Sequence, residues 1–363
     1  MTRTSVSGGR RVVGCVSPVA LAEDSPAGGL PTGVTELDTV CALLAQASSV
    51  VLLAHINPDA DALGSALALG LALESRGTEV AVAFAEPASV PASLTGLPGQ
   101  RLIKSAELVP QHPDLVVALD VNSRERLGTL GSLLDTAGTS LVIDHHASNT
   151  RFGRHHLVEI SAESTTVLVA AVLDRMQVPI DRDIASNIYA GLATDTVGFR
   201  FASAKAHRLA DRLLQAGVNP DELMRPITDL HPFGWLGMLS SVLSNAVLDP
   251  TAADGRGLVL TVISADSASG LRPEELDSVI DIVRTAAEAE VAAVLKETGP
   301  SRWQVSLRSR PGTCGTALPG VDVAAVAGAL GGGGHVRAAG FGFSGTAAEA
   351  IAALTAALDG STS

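Results

Sequence analysis

Aromatic residues are scarce in this chain, with two Trp, one Tyr and seven Phe among 363 residues. That excludes an extended platform on which successive nucleobases stack. Cysteine is nearly absent. Cys15, Cys41 and Cys314 lie far apart and form no CxxC pair, which excludes a disulfide framework and a zinc-thiolate site and fits a reducing cytoplasm. Positive charge is in deficit: 25 Lys and Arg stand against 38 Asp and Glu, a net charge of −13. A surface of that sign does not coat long nucleic acid. It still admits a small anion, because bound cations reverse the local sign. No uninterrupted apolar run reaches about 18 residues, so no membrane-spanning helix and no membrane partner are expected. Residues 1–34 are rich in Gly, Ser and Pro, and the apolar stretch after Val12 is broken by Gly14, Ser17 and Pro18. We read them as a disordered leader rather than an export signal.

What is present is ample apolar material, 46% of residues, enough for two buried cores. From Thr35 onward strand and helix patterns alternate, which predicts an α/β fold: an N-terminal parallel sheet with helices on both faces. Strands are expected at Ser49–Ala54, Thr78–Ala85, Leu115–Val121, Ser140–Ile143 and Leu157–Ile160. Helices are expected after residue 60 and over Ser123–Ala137, Ser164–Met176, Ile184–Ala193 and Ala206–Ala216. The expected organisation is a catalytic domain over 35–220, a helical connector over 221–250 and a smaller mixed α/β domain over 251–363.

Polar residues cluster where these strands end. His55-Ile56-Asn57-Pro58-Asp59-Ala60-Asp61 follows the first strand, Asp120 ends the third, and Asp144-His145-His146 ends the fourth. Asp195 follows a helix, in Gly191-Leu192-Ala193-Thr194-Asp195. A single Asp at such a place reads as a turn or helix cap. Several neighbouring strand ends each delivering Asp or His to one edge read as a ligand site, since open α/β sheets bind ligands there. Carboxylate and imidazole donors without thiolates suit Mn²⁺ or Mg²⁺. Among the remaining residues, His155-His156 reads as surface loop, Trp235 and Trp303 as core, Ser65 and Ser123 as caps, and Asp114 as needing no function.

With these motifs in order, and with Gly331-Gly332-Gly333-Gly334-His335-Val336-Arg337-Ala338-Ala339-Gly340 following them, the chain resembles the DHH phosphoesterase superfamily with its DHH-associated C-terminal domain. Within it the chain is most similar to the nanoRNase and phosphoadenosine-phosphate phosphatase branch, which includes actinobacterial members acting on cyclic dinucleotides. The resemblance implies two Mn²⁺ ions, with Mg²⁺ as the substitute. His55, Asp59 and Asp120 would hold one ion, and Asp61, Asp120, His145 and Asp195 the other. Asp120 would bridge them, Asp144 would orient a neighbouring histidine, and His146 would face the substrate phosphate as donor or acid. Substrate contacts would come from Arg308, Ser309, Gly332, Gly333, Gly334, His335 and Arg337, with Arg200 reaching in from the catalytic side or serving as a structural arginine.

The implied substrates are short RNA, linear or cyclic dinucleotides and 3′-phosphoadenosine 5′-phosphate, and the implied assembly is a cytoplasmic homodimer. The enzymatic alternative is cleavage of pyrophosphate or polyphosphate; the non-enzymatic one is a catalytically silent nucleotide sensor. The segment Pro311–Gly320 looks longer than the usual connection and is expected to reshape the pocket.

Overall fold

The computed structural model describes residues 35–310 and 320–360. The leader and nearly all of the 311–320 segment lie outside the described residues. The first sheet has five parallel strands, β1 (Ser49–Leu53), β2 (Glu79–Ala83), β3 (Leu115–Leu119), β4 (Thr139–Asp144) and β5 (His155–Val158), in the order β2-β1-β3-β4-β5. Its helices are α1 (Glu36–Gln46), α2 (Ala60–Glu74), the single turn α3 (Leu133–Thr136), α4 (Thr165–Arg175), α5 (Arg182–Asp195) and α6 (Ala204–Gln215). Strand residues alternate between two buried faces, as a doubly covered sheet requires. Leu52, Val117, Leu141 and Ile143 pack with α2, α4 and α5. Leu53, Val116, Ala118 and Val142 pack with Leu127, Leu130, Leu133 and Leu134 on the opposite face. The chain leaves β1 toward β2 on one side and β3 on the other, so β1 and β3 flank the topological switch point.

Two further helices follow, α7 (Pro220–Thr228) and α8 (Phe233–Ser244). The second sheet is mixed: β6 (Val247–Asp249), β7 (Leu258–Ile263), β8 (Val291–Gly299), β9 (Arg302–Ser309), β10 (Gly333–His335) and β11 (Ala338–Ser344), in the order β10-β11-β9-β8-β7-β6. With it go the short helices α9 (Ala252–Gly255), α10 (Pro273–Asp277), α11 (Val279–Val283) and α12 (Val323–Ala329), and the longer α13 (Ala347–Gly360). α12 and α13 cover one face through Val323, Val326, Leu354 and Leu358. α8 and α11 cover the other through Met238, Val242, Val279 and Ile280. Thus α8 and β6, in the stretch expected as connector, join the second sheet.

Several local expectations change. Ser123–Ala137 is not one helix: a 3-10 segment, Arg124–Ser132, precedes α3, and Gly128 breaks it at φ +56°. A Cβ at Gly128 would lie 2.9 Å from Ala85 Cβ, so a glycine conformation is built in where this segment crosses the sheet edge. His155 and His156 open β5 rather than a loop, paired with Leu141 and Val142. Ser65 is buried inside α2 and caps nothing. Asp114, read as needing no function, accepts from the N–H groups of Ser48 and Ser49 at 2.9 and 3.1 Å, pinning the start of β1.

The α2–α5 seam is tight because it runs through glycines. A Cβ on Gly64 would meet the Asn187 carbonyl oxygen at 2.6 Å. Gly64→Ala is therefore expected to lower stability by about 1–3 kcal/mol, the usual cost of overpacking, seen as a lowered Tm in thermal melts. An unchanged Tm would contradict the packing described.

Candidate metal centre and its cleft

The centre sits at the carboxyl ends of β1, β3 and β4. His55 leaves β1 with Nδ1 2.9 Å from the Ile56 carbonyl oxygen, which turns Nε2 toward Asp59 Oδ2 (3.6 Å) and Asp120 Oδ2 (3.8 Å). Asp59 is the N-cap of α2: its Oδ1 accepts from the N–H groups of Asp61 and Ala62 and leaves Oδ2 for the His55 side. Asp120 follows β3 in the left-handed region at φ +62°, a conformation Asp tolerates better than bulkier residues. His145 anchors Nδ1 against the Ala162 carbonyl oxygen at 3.1 Å. Its Nε2 lies 3.2 Å from Asp195 Oδ2, 3.5 Å from Asp120 Oδ1 and 3.8 Å from Asp61 Oδ2. The His145 imidazole thus carries the carbonyl partner that fixes the tautomer of a ligand histidine, whereas His55 Nδ1 also lies 3.2 Å from the donor Arg126 Nη2.

Asp61 is wholly buried in the first turn of α2 and is held from a different direction. The N–H groups of Thr165 and Thr166, at the start of α4, donate to its two oxygens at 2.6 and 3.0 Å. The helix N-terminus is where a carboxylate is stabilised. Thr165 Oγ1 also donates to Asp120 Oδ1 at 2.9 Å. Asp195 arrives from the last turn of α5, whose Gly191 leaves no room: a Cβ there would sit 2.5 Å from Asp61 Oδ1.

Electrostatics fit a cation. Burial, and then the charges of Asp61 and Asp59, push Asp120 well above the usual carboxylate range. Burial and the neighbouring Asp61 raise Asp195 to about 7. For His145 burial alone would act downward, but the hydrogen bond to Asp195 and the charges of Asp61 and Asp120 lift it to about 11. The cluster therefore demands positive charge. His55, Asp59 and Asp120 form one compact donor set and Asp61, Asp120 and His145 another, with Asp120 common to both. Nitrogen and oxygen donors in these sets suit a divalent cation.

Asp144 is buried and accepts from the His145 N–H (2.8 Å), His146 Nδ1 (2.7 Å) and Asn149 Nδ2 (2.6 Å). Burial raises it, but the His146, Asn149 and His145 contacts together outweigh this and hold it below its ordinary value. The His146 ring stacks on His335 with centroids 4.3 Å apart and planes at 18°. Burial and the adjacent His146 and His145 lower His335 to about 3, so its ring is neutral at physiological pH.

A cleft of about 800 Å³ opens over this edge. Its floor includes His55, Asp59, Asp120 and His146, and its opposite wall is Arg308, Gly331–Gly334 and Gly340. Among the described residues Arg308 forms no ion pair; its Nη1 donates to the Leu307 carbonyl. The glycine run is less loop-like than its composition implies: Gly333 and Gly334 pair with Gly340 and Ala339. A Cβ on Gly333 would lie 3.6 Å from Ser148 Oγ and 3.7 Å from Asn122 Nδ2, which measures how closely the two sheets approach.

Other residues expected at the substrate point elsewhere. Ser309 follows Arg308 in β9 and so faces the opposite side, donating to the Val321 carbonyl at 2.7 Å. Arg337 spends Nη1 on the Arg310 carbonyl at 2.5 Å. Arg200 is exposed and none of the three lines the cleft. Sequence reasoning missed Thr165, Thr166, Asn149 and the cleft-lining Arg126 and Asn122. Ser164-Thr165-Thr166 carried a signal as a helix-capping run; the others carried none.

A parallel sheet that brings Asp and His from β1, β3 and β4 to one edge defines a class, the α/β proteins with a carboxylate–histidine cluster at the carboxyl ends of their strands. The model of the DHH family N-terminal domain matches residues 49–192 and that of the DHHA1 domain residues 254–361. The chain belongs to the DHH family. It is 31% identical over 293 residues to the bifunctional oligoribonuclease and PAP phosphatase NrnA of Thermus thermophilus, covering 80% of this chain and 83% of that one. It is 23% identical to the probable enzyme of the same name from Streptococcus mutans, over 76% and 86% of the two chains. A crystal structure of an exopolyphosphatase-related protein from Bacteroides fragilis has the same fold, with TM-score 0.76, 24% identity and coverage of 90% and 96%.

Removing the Thr165 hydroxyl should weaken the cluster without emptying it. Thr165→Val is expected to reduce divalent-cation affinity about 10–100-fold, the usual effect of losing a ligand's hydrogen-bond partner, while Thr165→Ser stays near wild type. Titration calorimetry with Mn²⁺ checks this; equal affinities for Val and wild type would refute the positioning role.

Proposed function

We propose that the chain is a divalent-metal phosphoesterase that hydrolyses short oligoribonucleotides from the 3′ end, linear or cyclic dinucleotides such as pApA and cyclic di-AMP, and 3′-phosphoadenosine 5′-phosphate. The observation that carries the proposal is that Asp120 lies within 3.8 Å of His55 on one side and 3.5 Å of His145 on the other, on the floor of a cleft. His55, Asp59 and Asp120 would hold one Mn²⁺, and Asp61, Asp120, His145 and Asp195 a second, with Mg²⁺ the substitute. Such cations, when bound, neutralise phosphoryl charge and lower the pKa of water.

The chain's own groups supply the rest. Asp144 fixes the His146 ring through Nδ1, leaving Nε2 to meet a phosphate oxygen. Neutral His335 backs that ring. Arg308 offers a planar fork for a second phosphate, and Gly332–Gly334 let a nucleotide approach the backbone closely. Support for nucleotides over pyrophosphate comes from the cleft's size and from the relatives' named activities. The net charge of −13 supports short substrates over long ones. On the same footing we propose a cytoplasmic homodimer and a catalytic domain over 35–220, with the expected connector shortened at its far end because α8 and β6 belong to the second sheet. Sedimentation of the purified protein tests the dimer.

A Mn²⁺-supplemented panel of RNA dinucleotide, pApA, cyclic di-AMP, 3′-phosphoadenosine 5′-phosphate and pyrophosphate, with product analysis, tests the activity. Turnover of the nucleotide substrates is expected, and activity on pyrophosphate alone would favour the alternative. Asp120→Ala should cut turnover at least about 1,000-fold with the circular-dichroism spectrum unchanged, because both cation sites lose a shared ligand. Activity within tenfold of wild type would sink the dinuclear reading.

A further inference from the structure

The carboxylate cluster has a second face. Beyond it lies another cavity, of about 530 Å³, also lined by Asp59 and reached by Asp195. Since Asp59 borders both spaces, the cluster stands between them. The second cavity is walled by Val90, Pro91, Ala92 and Leu94 from the loop after β2, and by Ile227 of α7. Pro273, Glu274 and Asp277 of α10 close it, and Ser93 Oγ donates to Glu274 Oε1 at 3.3 Å across the seam.

The two spaces differ in chemistry. The cleft offers Arg308, Arg126 and Asn122 to an anion. The second cavity offers apolar side chains, proline faces and carboxylates. Its one arginine, Arg272, is already paired with Glu275, and Asp277 is paired with Lys296. Glu274, which makes no ion pair among the described residues, leaves the wall net negative. A neutral nucleoside fits such walls, since sugar hydroxyls and base N–H groups donate to carboxylates and the base covers apolar surface. A phosphate is repelled.

A phosphodiester carries two nucleosides on one phosphorus, whereas the 3′-phosphate of phosphoadenosine phosphate carries one. On the phosphoesterase reading above, the phosphorus sits at the cluster and the cleft takes the nucleotide common to both substrates. We propose that the second cavity binds the nucleoside on the far side of the scissile phosphate. Water then supplies the hydroxyl that stays on phosphorus and the proton that goes to the departing 3′ oxygen. The nucleoside that keeps the new 5′-phosphate leaves from this side.

The test compares kcat/KM on pApA and 3′-phosphoadenosine 5′-phosphate for the full-length Mn²⁺ enzyme. Ala92→Trp, filling the cavity from an exposed position, should lower pApA cleavage at least tenfold while phosphoadenosine phosphate turnover stays within twofold. That turnover is the control for folding. If it is lost, Ser89→Trp on the exposed rim takes the place of Ala92→Trp. Equal losses on both substrates, or none on pApA, would overturn the subsite. Wild-type turnover of phosphoadenosine phosphate without pApA would overturn the subsite alone. Turnover of neither would overturn the phosphoesterase reading and the subsite with it.

Discussion

Two backbone N–H groups at the start of α4 hold the buried carboxylate of Asp61, and the rest of the centre is arranged around that contact. Removing a carboxylate from water costs several kcal/mol, while each charge-assisted bond returns roughly 1.5–3 kcal/mol. Two bonds offset part of that cost, and burial still raises Asp61 above the usual carboxylate range. Asp120 has one hydrogen bond, from the Thr165 hydroxyl, with His145 and His146 at 3.5 Å, and Asp195 has His145 at 3.2 Å. The shortage of positive charge is visible in the raised proton affinities of Asp61, Asp120, Asp195 and His145. A site left short of positive charge in this way is prepared for cations.

The fold makes this shortage reproducible. β1 and β3 flank the switch point of the sheet, so loops from them diverge to opposite faces and leave an open edge. His55 and Asp120 occupy that edge, and β4 adds His145 one strand further along. α2 and α5 bring Asp61 and Asp195 from the helical layer. Each donor set thus combines residues far apart in the chain but adjacent in the sheet.

How much of this could be read from sequence follows from what kind of atom does the work. Asp144-His145-His146 and His55 to Asp61 were legible because their donors are side chains at the end of apolar strands. The α4 N-terminus was legible only as a helix start, since the N–H groups that bind Asp61 belong to a backbone every residue shares. The glycine run carried no strand signal because glycine has low strand preference. Pairing of β10 with β11 overrides that preference. Ser123–Ala137 has helical spacing, yet Gly128 breaks it where the segment meets Ala85. Arg337 has the right charge in the right motif, but its guanidinium is committed to the Arg310 carbonyl. Residue type does not encode such a commitment.

The glycines of the α2–α5 seam limit how such a chain adapts to heat. Replacing a helix-interior glycine by alanine ordinarily gains up to about 1 kcal/mol, and it is among the easiest steps available to a lineage moving to higher temperature. Gly64 and Gly191 are closed to that step, because the space a methyl would take is filled by the Asn187 carbonyl and by Asp61 itself. Thermal adaptation of this sequence must therefore proceed through its surface, its loops and its second sheet, leaving the seam beside the carboxylates as it is.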